Sequence, residues 1–298
     1  MKRVILVIIA LLGVSITPVQ ADGPQTVAII DTGFNTALFP NKVVAEYCVV
    51  EYTACPNGQT TMEGAGAATI NFKTTNATTN HGTQMASVVT KVNPNAKLVL
   101  IRIVGYFPNG NPYLYTNGAV KLALDWIVAN QGKYNISVVS VSQGKIFANC
   151  GVNPGVAEDV AALKAKNVPV IASTGNDGNK TAMNSIACLP DVISVGATDN
   201  PGQAFSGQAF DVNANPTIAR YSNGTAQTTF YANGRWFVTN IDGTTKFLVG
   251  TSTATASIAG WWSLNNKGSI VDTYNWLVST AKVATSDTLT GKFILITQ

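Results

Sequence analysis

Three observations predict an α/β fold of three layers, with a central, mostly parallel sheet flanked by helices. Short apolar runs rich in Val and Ile recur along the chain. They are continuous rather than alternating. Helical patterns fall between them. A strand with one wet face alternates, whereas a strand covered on both faces reads as an unbroken apolar run. Strands alternating with helices lie parallel, with crossover helices on the sheet faces.

The chain opens with MKRVILVIIALLGVSITPVQADGP. Lys2 and Arg3 precede an apolar stretch from Val4 to Ile16, and Val19-Gln20-Ala21 forms a small-residue cleavage site. This pattern predicts a signal peptide over residues 1–21. The stretch is shorter than the roughly 20 apolar residues a spanning helix needs. The expected mature chain, 22–298, is therefore a single secreted or periplasmic domain with no stable membrane insertion. The first strand is TVAIID (26–31), followed by a helix over 81–92 and the strand KLVLIRIV (97–104). A helix over 117–130 leads to the strand ISVVSVS (136–142), and a helix over 155–167 to VPVIAST (168–174). The strand DVISVGA (191–197) closes the predicted sheet. LVGTSTATASIAGWW (248–262) starts a further helix, and another is expected near 271–282. Small residues in the first of these (Ala254, Ala256, Ser257, Ala259, Gly260) suit close approach by neighbours. No internal repeat or linker divides the chain.

With 46% apolar residues the chain can fill a sizeable core. Its net charge is +4, but Lys and Arg are scattered without a basic run, which argues against nucleic acid as a partner. Four cysteines, Cys48, Cys55, Cys150 and Cys188, form no C-x-x-C pair and lie far from the one histidine. In an exported chain an even count predicts two disulfides rather than a metal site. Three pairings are open, and Cys48 with Cys55 closes a short polar loop.

In a sheet of this kind, working residues gather beyond the carboxyl ends of the strands. Those ends carry Asp31-Thr32-Gly33, Ser142-Gln143-Gly144 and Thr174-Gly175-Asn176-Asp177-Gly178. The only histidine, His81, stands at a predicted helix start in NHGTQMASVV, and Ser252 stands at another after Gly250 and Thr251. A serine hydroxyl needs a base to act as a nucleophile, and His81 is the one side chain that titrates near neutrality unaided. A carboxylate must in turn fix the tautomer of that base, and Asp31 is the natural candidate.

VAIIDTG, NHGTQMAS, STGND and GTSTATASIAG together resemble the four signature segments of the subtilisin-like serine proteases, in the family's own order. The resemblance runs from about residue 26 to 264. It implies the subtilisin-like fold and a secreted endopeptidase acting on proteins or peptides; a monomer is expected, with no cofactor and no calcium at the loop after the histidine helix. It implies Asp31, His81 and Ser252 as the triad and Asn176 as an oxyanion donor together with the backbone N–H of Ser252. It also implies that Ser142, Gln143 and Gly144 line one wall of the specificity pocket. Ala172, Ser173, Thr174 and Gly175 line the other, with Asn184 and Ser185 near its floor. On that reading Cys150 pairs with Cys188, tying two loops that flank the pocket, and Cys48 pairs with Cys55.

The sequence departs from the family in three places. Ser252 is followed by Thr253-Ala254-Thr255-Ala256 instead of Met-Ala-x-Pro. No recognisable propeptide separates the signal peptide from the first strand. The connection Asn93-Pro94-Asn95-Ala96 is too short, and lacks the carboxylates, to hold the calcium ion many relatives carry there. DTG also occurs in aspartic proteases, but those need two such carboxylates and this chain offers one. The remaining alternative is a catalytically silent, secreted binding protein on the same scaffold, which the presence of all three triad residue types argues against.

Overall fold

The computed structural model describes residues 25–70, 77–106, 112–113, 117–146, 154–199 and 216–296. In the first half, the elements are β1 (Thr26–Asp31), β2 (Val43–Val49), β3 (Thr61–Glu63), α1 (Ala77–Val92), β4 (Lys97–Arg102), β5 (Gly105–Tyr106), β6 (Pro112–Tyr113) and α2 (Asn117–Asn130). Next come β7 (Ile136–Val141), α3 (Pro154–Ala165), β8 (Val170–Ser173), β9 (Val192–Asp199) and β10 (Thr217–Ile218). The last third holds β11 (Phe230–Asn233), β12 (Arg235–Thr239), β13 (Thr245–Val249), α4 (Thr251–Leu264), α5 (Ile270–Thr280), β14 (Lys282–Thr285) and β15 (Thr290–Ile294).

Strands β2, β4, β1, β7, β8, β9, β11 and β15 lie side by side in that order, each parallel to its neighbour. Both faces of this sheet are dry. Val27 and Ile29 of β1 join one buried cluster with Met85 and Val88 of α1 and Ile258 of α4. Ala28 and Ile30 join another, with Leu124 of α2 and Leu163 of α3. The same odd–even split divides Leu98 and Leu100 from Val99 and Ile101 on β4. Successive strand residues point to opposite faces, so an unbroken apolar run is what two covered faces require.

The five predicted strands form the centre of the sheet, and the predicted helices are all present. Several elements were not predicted, among them β11, a buried strand between β9 and β15. The outer strands β2, β3, β14 and β15 carry mixed or polar sequence and are ordered by pairing with their neighbours. The β12–β13 hairpin stands apart as its own two-stranded sheet. Helix α1 also starts four residues before the predicted position, at Ala77. Its first turn is polar, so apolar periodicity cannot reveal it; Asn80 accepts a hydrogen bond from Ile241 N at 2.9 Å, a contact only the tertiary fold supplies. His81 is accordingly in the second turn rather than at the helix mouth.

The position of β1 sets the place of the site. It lies between β4 and β7, because the chain builds β2 and β4 on one side and then crosses to begin β7 on the other. The loops leaving β1 and β7 part company there and open a crevice beyond the strand ends.

Helix α4 runs buried under the sheet against α1. It carries no charged residue, and beyond its first turn its hydroxyls bond its own backbone: Thr255 Oγ1 to Thr251 O, Ser257 Oγ to Ala254 O and Ser263 Oγ to Gly260 O, at 2.7–2.8 Å. A polar helix can thus be buried without leaving donors unpaired.

Cys48 and Cys55 form a disulfide, as expected. Cys188 is also disulfide-bonded, and its expected partner Cys150 lies outside the described residues. Among the described residues, no helix is long and apolar enough to cross a membrane; the predicted signal peptide lies outside them.

Gly260 sits where α4 meets α1. A Cβ there would lie 2.9 Å from Val92 Cβ and 3.0 Å from Val89 O, atoms that cannot rotate away. Gly260→Ala should force the two helices apart and lower stability by about 1–3 kcal/mol despite the better helix propensity of Ala. Urea unfolding of the two proteins checks this; an alanine variant as stable as the parent would show that the helix pair yields at no cost.

Candidate active site

Asp31 ends β1 with no exposed surface. Its Oδ1 accepts hydrogen bonds from Thr32 N at 2.6 Å and from His81 Nδ1 at 2.7 Å. A carboxylate oxygen only accepts, so Nδ1 carries the proton and Nε2 is left with its lone pair. The His81 side chain is 22% exposed and lines the crevice. Burial disfavours the imidazolium, but the charge of Asp31 and the hydrogen bond to it together outweigh that cost. The pKa of His81 is raised above 6.5.

Helix α1 is pinned in register at its second turn. Gly82 N donates to Thr32 Oγ1 at 3.1 Å, and Asn35 N donates to Thr83 Oγ1 at 3.0 Å, fastening the helix to the loop after β1. From the other side, Gln84 Nε2 donates to Asn240 Oδ1 at 2.7 Å in the turn of the β12–β13 hairpin.

Ser252 is the second residue of α4 and 8% exposed. Gly250 provides no side-chain cap, which leaves first-turn N–H groups of the helix for a ligand. The hydroxyl of Ser252 reaches the carbonyl of Ser142 at 3.5 Å, and Ser142 Oγ returns a bond to Ser252 O at 3.4 Å. These long, reciprocal contacts hold the end of β7 beside the start of α4. Ser252 and His81 line one crevice with Ser142, Gln143 and Asn176, but the serine hydroxyl is not bonded to the ring. Such bonds commonly tighten only when a ligand is bound.

Asn176 follows Gly175, whose φ of +104° turns the chain sharply after β8. Its Oδ1 accepts from Thr251 N at 2.9 Å and Thr251 Oγ1 at 3.0 Å. With the carbonyl oxygen held by Thr251, the donor of this amide is Nδ2. Thr251 Oγ1 also accepts from Gly175 N at 3.2 Å, so one threonine clasps the loop after β8 to the head of α4. The sequence reading gave Thr251 no role.

Asn223 was likewise unassigned. It is fully buried, and its Oδ1 accepts from Asp177 N and Asn179 N while its Nδ2 donates to Asp177 Oδ2, all at 2.9 Å. It shapes the loop that presents Asn176. Its only sequence signal is an N-x-S/T triplet, which points to a surface position and away from this one.

The remaining predicted residues are placed as follows. Ser173 and Thr174 are buried, and Thr174 Oγ1 donates to Asn223 O at 2.8 Å. Gly144 and Gly175 face one another across Asn184: a Cβ on either would lie within 2.8 Å of its side chain. Asn184 therefore separates the loops after β7 and β8 and is held by Thr174 O and Ser173 O.

Gly82 permits the close approach of α1 to β1. A Cβ there would lie 2.3 Å from Gly33 O, a backbone atom. Gly82→Ala should displace His81 from Asp31. Burial would then act on the imidazole unopposed, and its pKa should fall below 6.5. With one histidine in the chain, titration of 15N-labelled protein by NMR reads this residue alone; an unchanged, raised pKa would show that the pair survives the substitution.

A family model described as the subtilase family matches residues 23–292. Among solved structures, a cold adapted subtilisin-like serine proteinase superposes with a TM-score of 0.67 at 22% identity, covering 93% of this chain and 90% of that one. The protease domain of PatA superposes at 0.64 with 18% identity, covering 87% and 89%. A lanthipeptide protease gives 0.64 at 16% identity, covering 86% and 80%. These likenesses share one fold at low identity, and the family match spans nearly the whole sequence. The chain belongs to the subtilase family and is a serine endopeptidase.

Proposed function

We propose that this enzyme is exported and cleaves protein or peptide substrates through an acyl-enzyme, with Ser252 as nucleophile, His81 as base and Asp31 as its orienting carboxylate. The observation that carries the reading is the 2.7 Å Asp31–His81 contact at the crevice that Ser252 also lines. Rotation of the Ser252 hydroxyl from Ser142 O toward Nε2 would let His81 take its proton as the oxygen attacks the scissile carbonyl. Asp31 holds the tautomer and stabilises the imidazolium that forms. The oxyanion would be received by Asn176 Nδ2 and the N–H of Ser252. As the tetrahedral intermediate collapses, His81 gives the proton to the leaving amine, and water repeats the sequence to release the acid. Export is supported by the signal-peptide pattern and by the Cys48–Cys55 disulfide, since such bonds persist in oxidising compartments. We propose no structural ion between α1 and β4: Asn93 Oδ1 already accepts from Asn95 N at 3.0 Å, and the Pro94 carbonyl from Lys42 Nζ.

A fluorophosphonate should label Ser252 alone, and labelling should vanish in both Ser252→Ala and His81→Ala. Only neutral His81 can accept the proton, so the labelling rate should rise with pH through a midpoint above 6.5. Stability runs the other way. The attraction between His81 and Asp31 contributes fully below pH 6.5 and fades as pH climbs through the raised folded-state value. Robust labelling of the His81→Ala protein would remove His81 from the role of base.

Asn176→Leu should lower kcat by about 10²–10³-fold with little change in KM, the magnitude known for such a donor in this family. Steady-state kinetics on a peptide substrate checks it. A change confined to KM would make Asn176 a substrate-binding group.

A further inference from the structure

The family resemblance places Gln143 in a pocket wall, yet the structure turns its amide to the Asp31–His81 pair. Gln143 Nε2 lies 3.2 Å from Asp31 Oδ1 and 3.2 Å from His81 Nδ1. The chemistry of the partners fixes the orientation of this amide. Asp31 Oδ1 can only accept, so the end facing it is the NH2. Nδ1 carries its own proton toward the same oxygen, so the short Nε2–Nδ1 separation is not a hydrogen bond. Two donors converge there on one acceptor, beside a third from Thr32 N, while Asp31 Oδ2 is buried with no hydrogen-bond partner among the described residues.

We propose that Gln143 is a positioning residue for this pair: its amide N–H shares the carboxylate oxygen that orients the imidazole, and so moderates the hold of Asp31 on the charged ring. The proposal rests on the reading of His81 as the base. Two consequences follow from the geometry. Each added donor to Oδ1 takes up part of the charge otherwise offered to Nδ1–H. The positive end of the amide dipole, 3.2 Å from Nδ1, also disfavours a cationic ring directly. Both effects favour the neutral imidazole that the reaction needs, and both oppose Asp31.

Few other charges compete for control of the ring. Of the elements packed on α1, α4 has no charged residue, β1 contributes Asp31, and β12 contributes Arg235, which is paired with Asp199 at 2.9 Å. On α1 itself Lys91 lies at the far end and bonds Phe237 O. On β4, Arg102 is the lateral neighbour of Asp31, but its guanidinium is bonded to Val104 O and Thr69 O.

The test is the pKa of His81, read by NMR on 15N-histidine-labelled full chain, beside the acid limb of kcat/KM on a peptide substrate. Gln143→Leu keeps the volume and removes the N–H; the pKa should rise by about one unit, the scale of one hydrogen bond to an ionised group. Gln143→Glu replaces the donor with an anion and should raise it further. An apolar side chain acting by burial alone would lower the pKa, so a fall or no change in Gln143→Leu overturns the proposal. Should that variant fail to fold, Gln143→Met, which also lacks the N–H, replaces it, and a fall or no change in its pKa overturns the proposal equally. A shift seen by NMR without a matching shift of the acid limb leaves Gln143 in its role and instead removes His81 from the role of base.

Discussion

A carboxylate with no exposed surface must find donors inside the protein, and at Asp31 every donor lands on one oxygen. Burying an ionised group without partners costs several kcal/mol, so the structure around it is constrained by the need to supply them. The first comes from the adjacent backbone at Thr32, the second from His81 on α1 and the third from Gln143 beyond β7. Three separate elements are therefore held to one point at the end of one strand. The order of strands makes this possible, because β1 is flanked by β4 and β7 and its carboxyl end opens into the crevice between diverging loops.

The same end of the sheet is held together by hydroxyls and amides rather than by ion pairs. Thr251 clasps the loop after β8 to α4, the two serines Ser142 and Ser252 exchange long contacts, and Asn223 braces the loop that carries Asn176. Neutral groups of this kind orient a site without adding charges that would compete with Asp31 for the imidazole. They also account for a composition rich in Asn, Thr and Ser yet only 11% charged. Glycine supplies the remaining constraint. At Gly82 and Gly260 backbone and side-chain atoms approach more closely than any Cβ allows, which sets the distances from α1 to β1 and to α4.

The sequence determined the centre of this protein because there the local signal and the tertiary environment agree. A strand covered on both faces must be apolar throughout, so β1, β4, β7, β8 and β9 were legible as runs. Asp31, His81, Asn176 and Ser252 were singled out at strand ends and predicted helix starts, and the structure bonds His81 to Asp31 and lines one crevice with His81, Asn176 and Ser252. What only the tertiary structure decided shares a different property: its stabilising partner lies far along the chain. The outer strands are ordered by their neighbours, and the first turn of α1 by a hairpin more than 150 residues away. Thr251 and Asn223 look like ordinary polar residues until the loop they brace is in place. Gln143 was read as part of a pocket wall because its segment resembles the family's substrate-pairing strand. The direction of its amide depends on where Asp31 and His81 meet, and no local pattern in the chain encodes that meeting.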